Sequence, residues 1–180
     1  ICERARALGS DLIVINSHGR TGLGRAWLGS VADGVARATT IPVLMLRAAD
    51  RTRVAQQRTT LFRRILIALD GSEQATAVLP AAADLAHCSG GVLILARVVA
   101  PLVDANRGAM APRSSKAVDR ERTRALVTST RIELADFADR LQVAHGLRVE
   151  IAVTADEHPA AAIVKLARAK RADLIALTTH

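Results

Sequence analysis

Arg64-Ile65-Leu66-Ile67-Ala68-Leu69-Asp70-Gly71-Ser72 is the stretch on which the fold turns. Its apolar residues run without alternation and stop at Asp-Gly-Ser. Such a run, bounded by turn residues, fits a parallel strand buried on both faces. Ala75 to His87 follows as an alanine-rich helix. Pro80 lies inside it, beginning its regular part or kinking it. Gly91 to Val99 is the next strand, and Ala100 to Ser115 is a loop with Pro101, Gly108 and Pro112. A long helix covers Lys116 to His145 and stops at Gly146. Leu126, Ile132, Leu134, Phe137 and Leu141 give it an irregular apolar stripe. Val149, Ile151 and Val153 then alternate with Glu150, Ala152 and Thr154, the period of a strand. Pro159 opens a helix, where its missing N–H costs nothing, and Leu174–Thr178 is the last strand.

The same grammar precedes this stretch. Ile1 to Leu8 reads as the end of a helix stopped by Gly9. Leu12-Ile13-Val14-Ile15 is a short apolar strand, and a glycine-rich loop runs from Asn16 to Gly24. Val31, Val35 and Ala38 recur at helical spacing before the strand Pro42–Leu46. Ala48 to Thr60 is polar, carries Arg51, Arg53 and Arg58, and reads as a linker. Strands alternating with helices give an α/β fold with a parallel open sheet. Ligands of such sheets bind outside the carboxyl ends of the strands, near the switch in strand order.

An internal repeat divides the chain. Arg6-Ala7 and Asp11-Leu12-Ile13, with His18, match Arg168-Ala169 and Asp173-Leu174-Ile175, with His180, at a constant offset of 162 residues. Residues 1–47 are therefore expected to be the C-terminal part of one repeat and 48–61 a linker. Residues 62–180 would be the N-terminal and central part of the next repeat. The tandem would be cut out of phase, so the second repeat lacks its glycine loop and last strand.

Composition excludes several classes. Of 180 residues half are apolar, ample for a core. Trp27, Phe62 and Phe137 are the only aromatic residues, which argues against stacking on nucleic-acid bases. The net charge of +8 favours anionic ligands in general. Only Lys116, Lys165 and Lys170 among the 25 basic residues are lysines; arginine richness of this kind partly reflects coding bias, so it does not argue for a nucleic-acid partner. Cys2 and Cys88 make no disulfide framework, which points to a reducing compartment. The longest apolar stretch, Gly91 to Val103, contains Arg97 and Pro101 and falls short of the ~20 residues needed to span a bilayer. The opening Ile-Cys-Glu-Arg-Ala-Arg is not a signal peptide. A cytoplasmic location is expected. His18, His145, His158 and His180 lack metal-ligand spacing. Arg120, Arg122 and Arg124 with Asp119 and Glu121 read as a solvated helix face.

The glycine loop, Asn16 to Val31, joins a buried strand to a helix. Glycines there let backbone approach a ligand, and free N–H groups at a helix start favour an anion. Ser30 can cap that helix or donate to a phosphate. A capped turn with no ligand reads equally from the glycines alone. Gly22-Leu23-Gly24 is not a dinucleotide fingerprint, because its third glycine position is Trp27, and no Lys is present for a Walker A loop.

Ser17-His18-Gly19-Arg20-Thr21-Gly22 through Leu28-Gly29-Ser30-Val31, ending in Pro42-Val43-Leu44, resembles the universal stress protein family. ATP-binding members carry Gly, two residues, Gly, nine residues, then Gly and Ser or Thr. Gly19 is similar to the second glycine, and Gly29-Ser30 close the motif. Asn16 stands in place of the first glycine. Arg64–Ser72 and Val92–Val98 resemble the opening of the family domain. The resemblance implies ATP as cofactor, with Asp70 facing the adenosine and Val98 meeting the adenine through its backbone. Gly19, Gly29 and Ser30 would cradle phosphates. Without the resemblance, Asp70 also reads as a turn residue. Asp70 and Val98 fall in the second repeat and Gly19–Ser30 in the first. The second repeat's own first-glycine position is Thr178. No single repeat here holds a complete site, so weak ATP binding or none is expected.

The resemblance implies a stress-response module that senses nucleotide or mediates interaction and is not catalytic by itself. Its partners would be an adenine nucleotide and other domains of the family through edge-strand pairing, with no membrane and no nucleic acid. The alternatives are a slow ATPase or self-phosphorylating enzyme, and a dimerisation scaffold that binds no nucleotide. Asn16 and Thr178 favour the scaffold.

Overall fold

The computed structural model describes residues 1–17, 29–47, 62–102 and 113–178, without the side chains of Ser17, Arg47 and residues 113–115. The expected linker at 48–61, Gly19 and His180 lie outside the described residues. The chain forms two compact units, Ile1–Thr59 and Thr60–Thr178.

The first unit runs α1 (Cys2–Ala7), β1 (Ile13–Ser17), α2 (Ser30–Ala38) and β2 (Val43–Arg47). β1 and β2 pair in parallel, Ile13 beside Val43 and Ile15 beside Met45. Ala5, Ile13 and Val35 form its small core. An Arg37–Asp33 pair at 3.1 Å spans one turn of exposed α2 surface, and Asp33 holds the guanidinium above its ordinary value.

The second unit contains β3 (Arg64–Ala68), a 3-10 segment Gln74–Val78, α3 (Leu79–Ser89), β4 (Val92–Val99), α4 (Arg113–His145), β5 (Arg148–Ala155), α5 (Pro159–Ala169) and β6 (Leu174–Ala176). Its sheet has the order β5-β4-β3-β6, and every pair is parallel. β3 thus has neighbours on both sides, and β1 pairs with β2 instead. Ile65, Ile67 and Leu69 pack with Leu93 and Leu95 against α3 and against Leu134 and Ala138 of α4. Leu66, Ile94, Ala96 and Ala152 pack against Ala167, Ile163 and Leu166 of α5. Two covered faces are the reason the β3 and β4 sequences do not alternate. Each fully buried Leu or Ile contributes about 1.5–3 kcal/mol. Ala82, Ala83 and Ala86 are buried on α3, where small side chains let the helix lie close to the sheet.

Several boundaries shift from the sequence reading. The α-helical ladder begins at Leu79, one residue before Pro80, and Gln74–Val78 winds as 3-10 helix ahead of it. Proline at the first turn forfeits no hydrogen bond, so Pro80 starts the helix and does not kink it. α4 begins at Arg113, and β6 is cut to three residues.

An ionic clamp closes the amino edge of this sheet. Arg64 Nη2 donates to both Glu150 oxygens at 2.9 and 3.0 Å, and Arg64 Nε donates to the Lys170 carbonyl at 2.7 Å. Lys170 Nζ reaches Glu150 at 3.4 Å. Burial alone would raise the Glu150 carboxyl, but Arg64 and Lys170 outweigh it and hold it below the usual range. Asp173 accepts from the Arg63 and Arg64 amides at 2.8 and 3.2 Å, fixing the start of β3.

The repeated sequence also has repeated geometry. Gly9 has φ +63° and Arg171, its counterpart, φ +51°. Ser10 N donates to Ala5 O at 3.0 Å, and Ala172 N donates to Ala167 O at 2.8 Å. Gly9 N to Arg6 O matches Arg171 N to Arg168 O in the same way. Both helices therefore end in one left-handed turn before a strand, although only the first has the glycine that makes it easy.

Candidate functional site

The strand order reverses at β3. β4 and β5 extend to one side and β6 returns to the other, so the crevice expected for a ligand lies past the carboxyl ends of β3 and β6. β3 leads directly into Leu69, whose amide donates to the Ala96 carbonyl at 2.8 Å, and then into Asp70. Asp70 is exposed, and its Oδ1 accepts from the Ser72 amide at 2.8 Å. This Asx turn fixes the carboxylate at the mouth of the crevice. Ser72 Oγ in turn accepts from the Ala75 amide at 3.1 Å, so the 3-10 segment starts from the same turn. The turn reading of Asp70 is thus correct.

Gly71 has φ +97°. A Cβ there would stand 3.3 Å from the Arg97 guanidinium carbon and one of its nitrogens. Arg97 is therefore the platform beneath the turn. Its Nη1 donates to Glu133 on α4 at 3.3 Å. Val98 is the next residue on β4, half-buried and paired with Thr154. Asp156 N donates to Val99 O at 3.1 Å, which closes the ends of β4 and β5 together. Asp70 and Val98 are thus brought to one edge of one sheet, at the carboxyl ends of adjacent strands.

Among the described residues, two buried side-chain polar atoms have no hydrogen-bond partner: Arg97 Nε and Thr178 Oγ1. Both lie at this carboxyl end. Buried polar atoms are nearly always satisfied, so orphans concentrated at one place mark it out.

Gly29 and Ser30 belong to the first unit. The helix starts at Ser30, and Gly29 is its N-cap with φ −59° and ψ 146°. Ser30 therefore does not cap the helix, and no side chain does. With a glycine at the cap, the first α2 amides have no side-chain acceptor, the arrangement that suits an anion. Gly19 lies outside the described residues.

Sequence reasoning passed over Arg97, treating it only as a break in an apolar run. Its alternation with Leu93 and Leu95 was the available signal, because that register places it on the α4 face. Among the described residues no three of His, Cys, Asp or Glu gather as a metal site, and no helix is long and apolar enough to cross a membrane.

Comparison with known proteins places this architecture. The family model described as the universal stress protein family matches residues 1–47 and 61–180. No curated protein sequence matches the chain. Among solved structures, a universal stress protein family member from Burkholderia pseudomallei is 25% identical, covering 65% of this chain and 81% of that one, with TM-score 0.44. One from Archaeoglobus fulgidus is 21% identical, covering 97% of this chain, with TM-score 0.63. One from Lactobacillus plantarum is 16% identical, covering 66% of this chain and 78% of that one, with TM-score 0.51. The last two carry the likeness of fold. The chain spans about half of the Archaeoglobus protein, 52% of its length. With the family model matched on both sides of residues 48–60, the chain belongs to the universal stress protein family.

Proposed function

We propose that this chain serves the stress response as a nucleotide-sensing module that binds the adenosine part of ATP at the carboxyl end of the β5-β4-β3-β6 sheet and does no chemistry by itself. One observation carries the reading. Asp70 is exposed and held by its own turn at the carboxyl end of β3, the point where strand order reverses. A carboxylate so fixed accepts from the two hydroxyls of a ribose without first losing rotamer freedom. The Val98 backbone, one strand over, offers amide and carbonyl groups to the edge of a base. The orphaned Thr178 hydroxyl on the other side of β3 supports the same place. The resemblance assigns Gly19, Gly29 and Ser30 to the phosphate contacts of the first repeat's own site, not to this one.

Family membership supports the stress-response role itself. The tandem organisation is favoured by the matched turns at Gly9 and Arg171. A titration of the full chain with adenosine, followed by amide chemical shifts, tests the nucleotide reading. Saturable shifts at Asp70, Gly71, Val98 and Thr178 are expected, and their absence refutes it.

A second reading has its own support. Thr178, like Asn16, puts a side chain where nucleotide-binding relatives of this type have a glycine. A scaffold that pairs with other family domains and binds no nucleotide accounts for that. Adenosine binding lost in Asp70→Ala decides against the scaffold.

A further inference from the structure

The guanidinium of Arg97 meets the Asp70 turn with its flat face. A Cβ built on Gly71 would stand 3.3 Å from Arg97 Cζ, 3.3 Å from Nη2 and 3.6 Å from Nη1. A group meeting the edge of the plane would lie clearly nearer the nitrogens than the carbon. The N–H donors of a guanidinium lie in its plane, so they do not point at the Gly71 backbone. The contact is packing, with a rigid plane as the floor of the turn.

The rest of the side chain holds that plane in place. Its stem alternates with Leu93 and Leu95 on the face that packs against Leu134 and Ala138 of α4. Nη1 donates to Glu133 on α4 at 3.3 Å, and this pair answers the charge of Arg97. Only 22% of the Arg97 side chain is exposed. Strand, helix and turn thus fix one guanidinium from three sides.

For folding alone, arginine is a costly choice here. Nε is buried and has no partner among the described residues. A buried N–H without an acceptor destabilises, and an apolar side chain of similar length would fill the same space without it. A residue that costs stability and persists is expected where it serves a site. Arg97 also stands on β4 immediately before Val98. A turn resting on Arg97 is therefore spaced from the Val98 backbone by the thickness of one guanidinium. The Asx bond to Ser72 gives the turn its shape, and Arg97 gives it its place.

Given the reading of Asp70 as an adenosine contact, we propose that Arg97 is the positioning residue of that site: it sets the separation between the Asp70 carboxylate and the Val98 backbone without touching the ligand. Preorganised spacing of two contacts on different strands raises affinity, because the ligand then spends no binding energy on placing them.

Arg97→Met in the full chain keeps the buried stem and removes the plane. Arg97→Lys keeps the charge but not the flat face, since an ammonium is a point. Thermal unfolding of Arg97→Met should occur no lower than in the parent chain. Adenosine affinity should fall about fivefold or more in both variants. Without ligand, amide order parameters at Asp70, Gly71 and Ser72 should drop from about 0.85 to below about 0.6 in Arg97→Met, while Ile65–Ala68 keep theirs. Stability that holds while affinity and turn order fall is the signature of positioning. Adenosine bound equally by the parent and both variants would overturn the proposal and leave the nucleotide reading standing. Turn amides as ordered in Arg97→Met as in the parent would overturn it too, as would affinity that falls only in step with stability. If the parent chain binds no adenosine and the turn still loosens in Arg97→Met, the nucleotide reading falls and the hold of Arg97 on the turn stands.

Discussion

Gly71→Ala probes the turn that presents Asp70, and its cost can be worked out. At φ +97° an L-residue is strained by about 1–2 kcal/mol. The added methyl also meets the Arg97 guanidinium at 3.3 Å. That contact needs only a few tenths of an ångström of give. The guanidinium is the far end of a flexible side chain, and its partner Glu133 is 67% exposed and can follow. The steric part is therefore small beside the backbone part. Against both, alanine lowers the entropy of the unfolded chain and returns about 0.4–1 kcal/mol. The net loss should be about 1 kcal/mol. Urea unfolding of the single variant, of Arg97→Ala and of the double variant gives the cycle. The loss from Gly71→Ala should persist within about 0.5 kcal/mol in the Arg97→Ala background. A neutral or stabilising Gly71→Ala would mean that residue 71 does not hold a positive φ. A loss that vanishes once Arg97 is gone would mean that contact, and not backbone conformation, demands the glycine.

Three further outcomes follow from the packing and the charges. Leu134 is 2% exposed and anchors α4 to the sheet, so Leu134→Ala should cost about 2–5 kcal/mol in urea unfolding. Glu150 has its carboxyl held below the ordinary value, so its contribution is present above the unfolded carboxylate range and is lost as pH falls through the folded value. Glu150→Gln should therefore lose about 0.5–1 kcal/mol at neutral pH, a modest figure because the side chain is 32% exposed, and the gap to the parent chain should close below about pH 4. Thr178→Val removes a buried hydroxyl that has no partner among the described residues, so thermal unfolding without ligand should show no loss of stability.

The parallel sheet was legible because burial on both faces writes itself as unbroken apolar runs at Ile65–Leu69 and Gly91–Val99. Val149, Ile151 and Val153 were legible for the opposite reason: Glu150 on the alternate face is polar, and the structure shows it held by Arg64 and Lys170. Arg171 could not be read as a turn, since nothing about arginine announces a positive φ. It became visible only through its alignment with Gly9. Ser30 looked like a cap because serine caps helices, yet Gly29 takes that position and Ser30 begins the first turn. Arg97 was hidden by its own chain: a charged residue near the end of an apolar run looks like the end of the strand, whereas its partners, Gly71 and Glu133, lie on other elements.

Binding of adenosine to the full chain, with Asp70→Ala as the comparison, tests the central claim most directly. The account predicts saturable amide shifts confined to Asp70, Gly71, Val98 and Thr178, abolished by the substitution while urea unfolding stays cooperative. Adenosine that binds Asp70→Ala as tightly as the parent chain, or that moves no amide at the carboxyl end of the sheet, would contradict it.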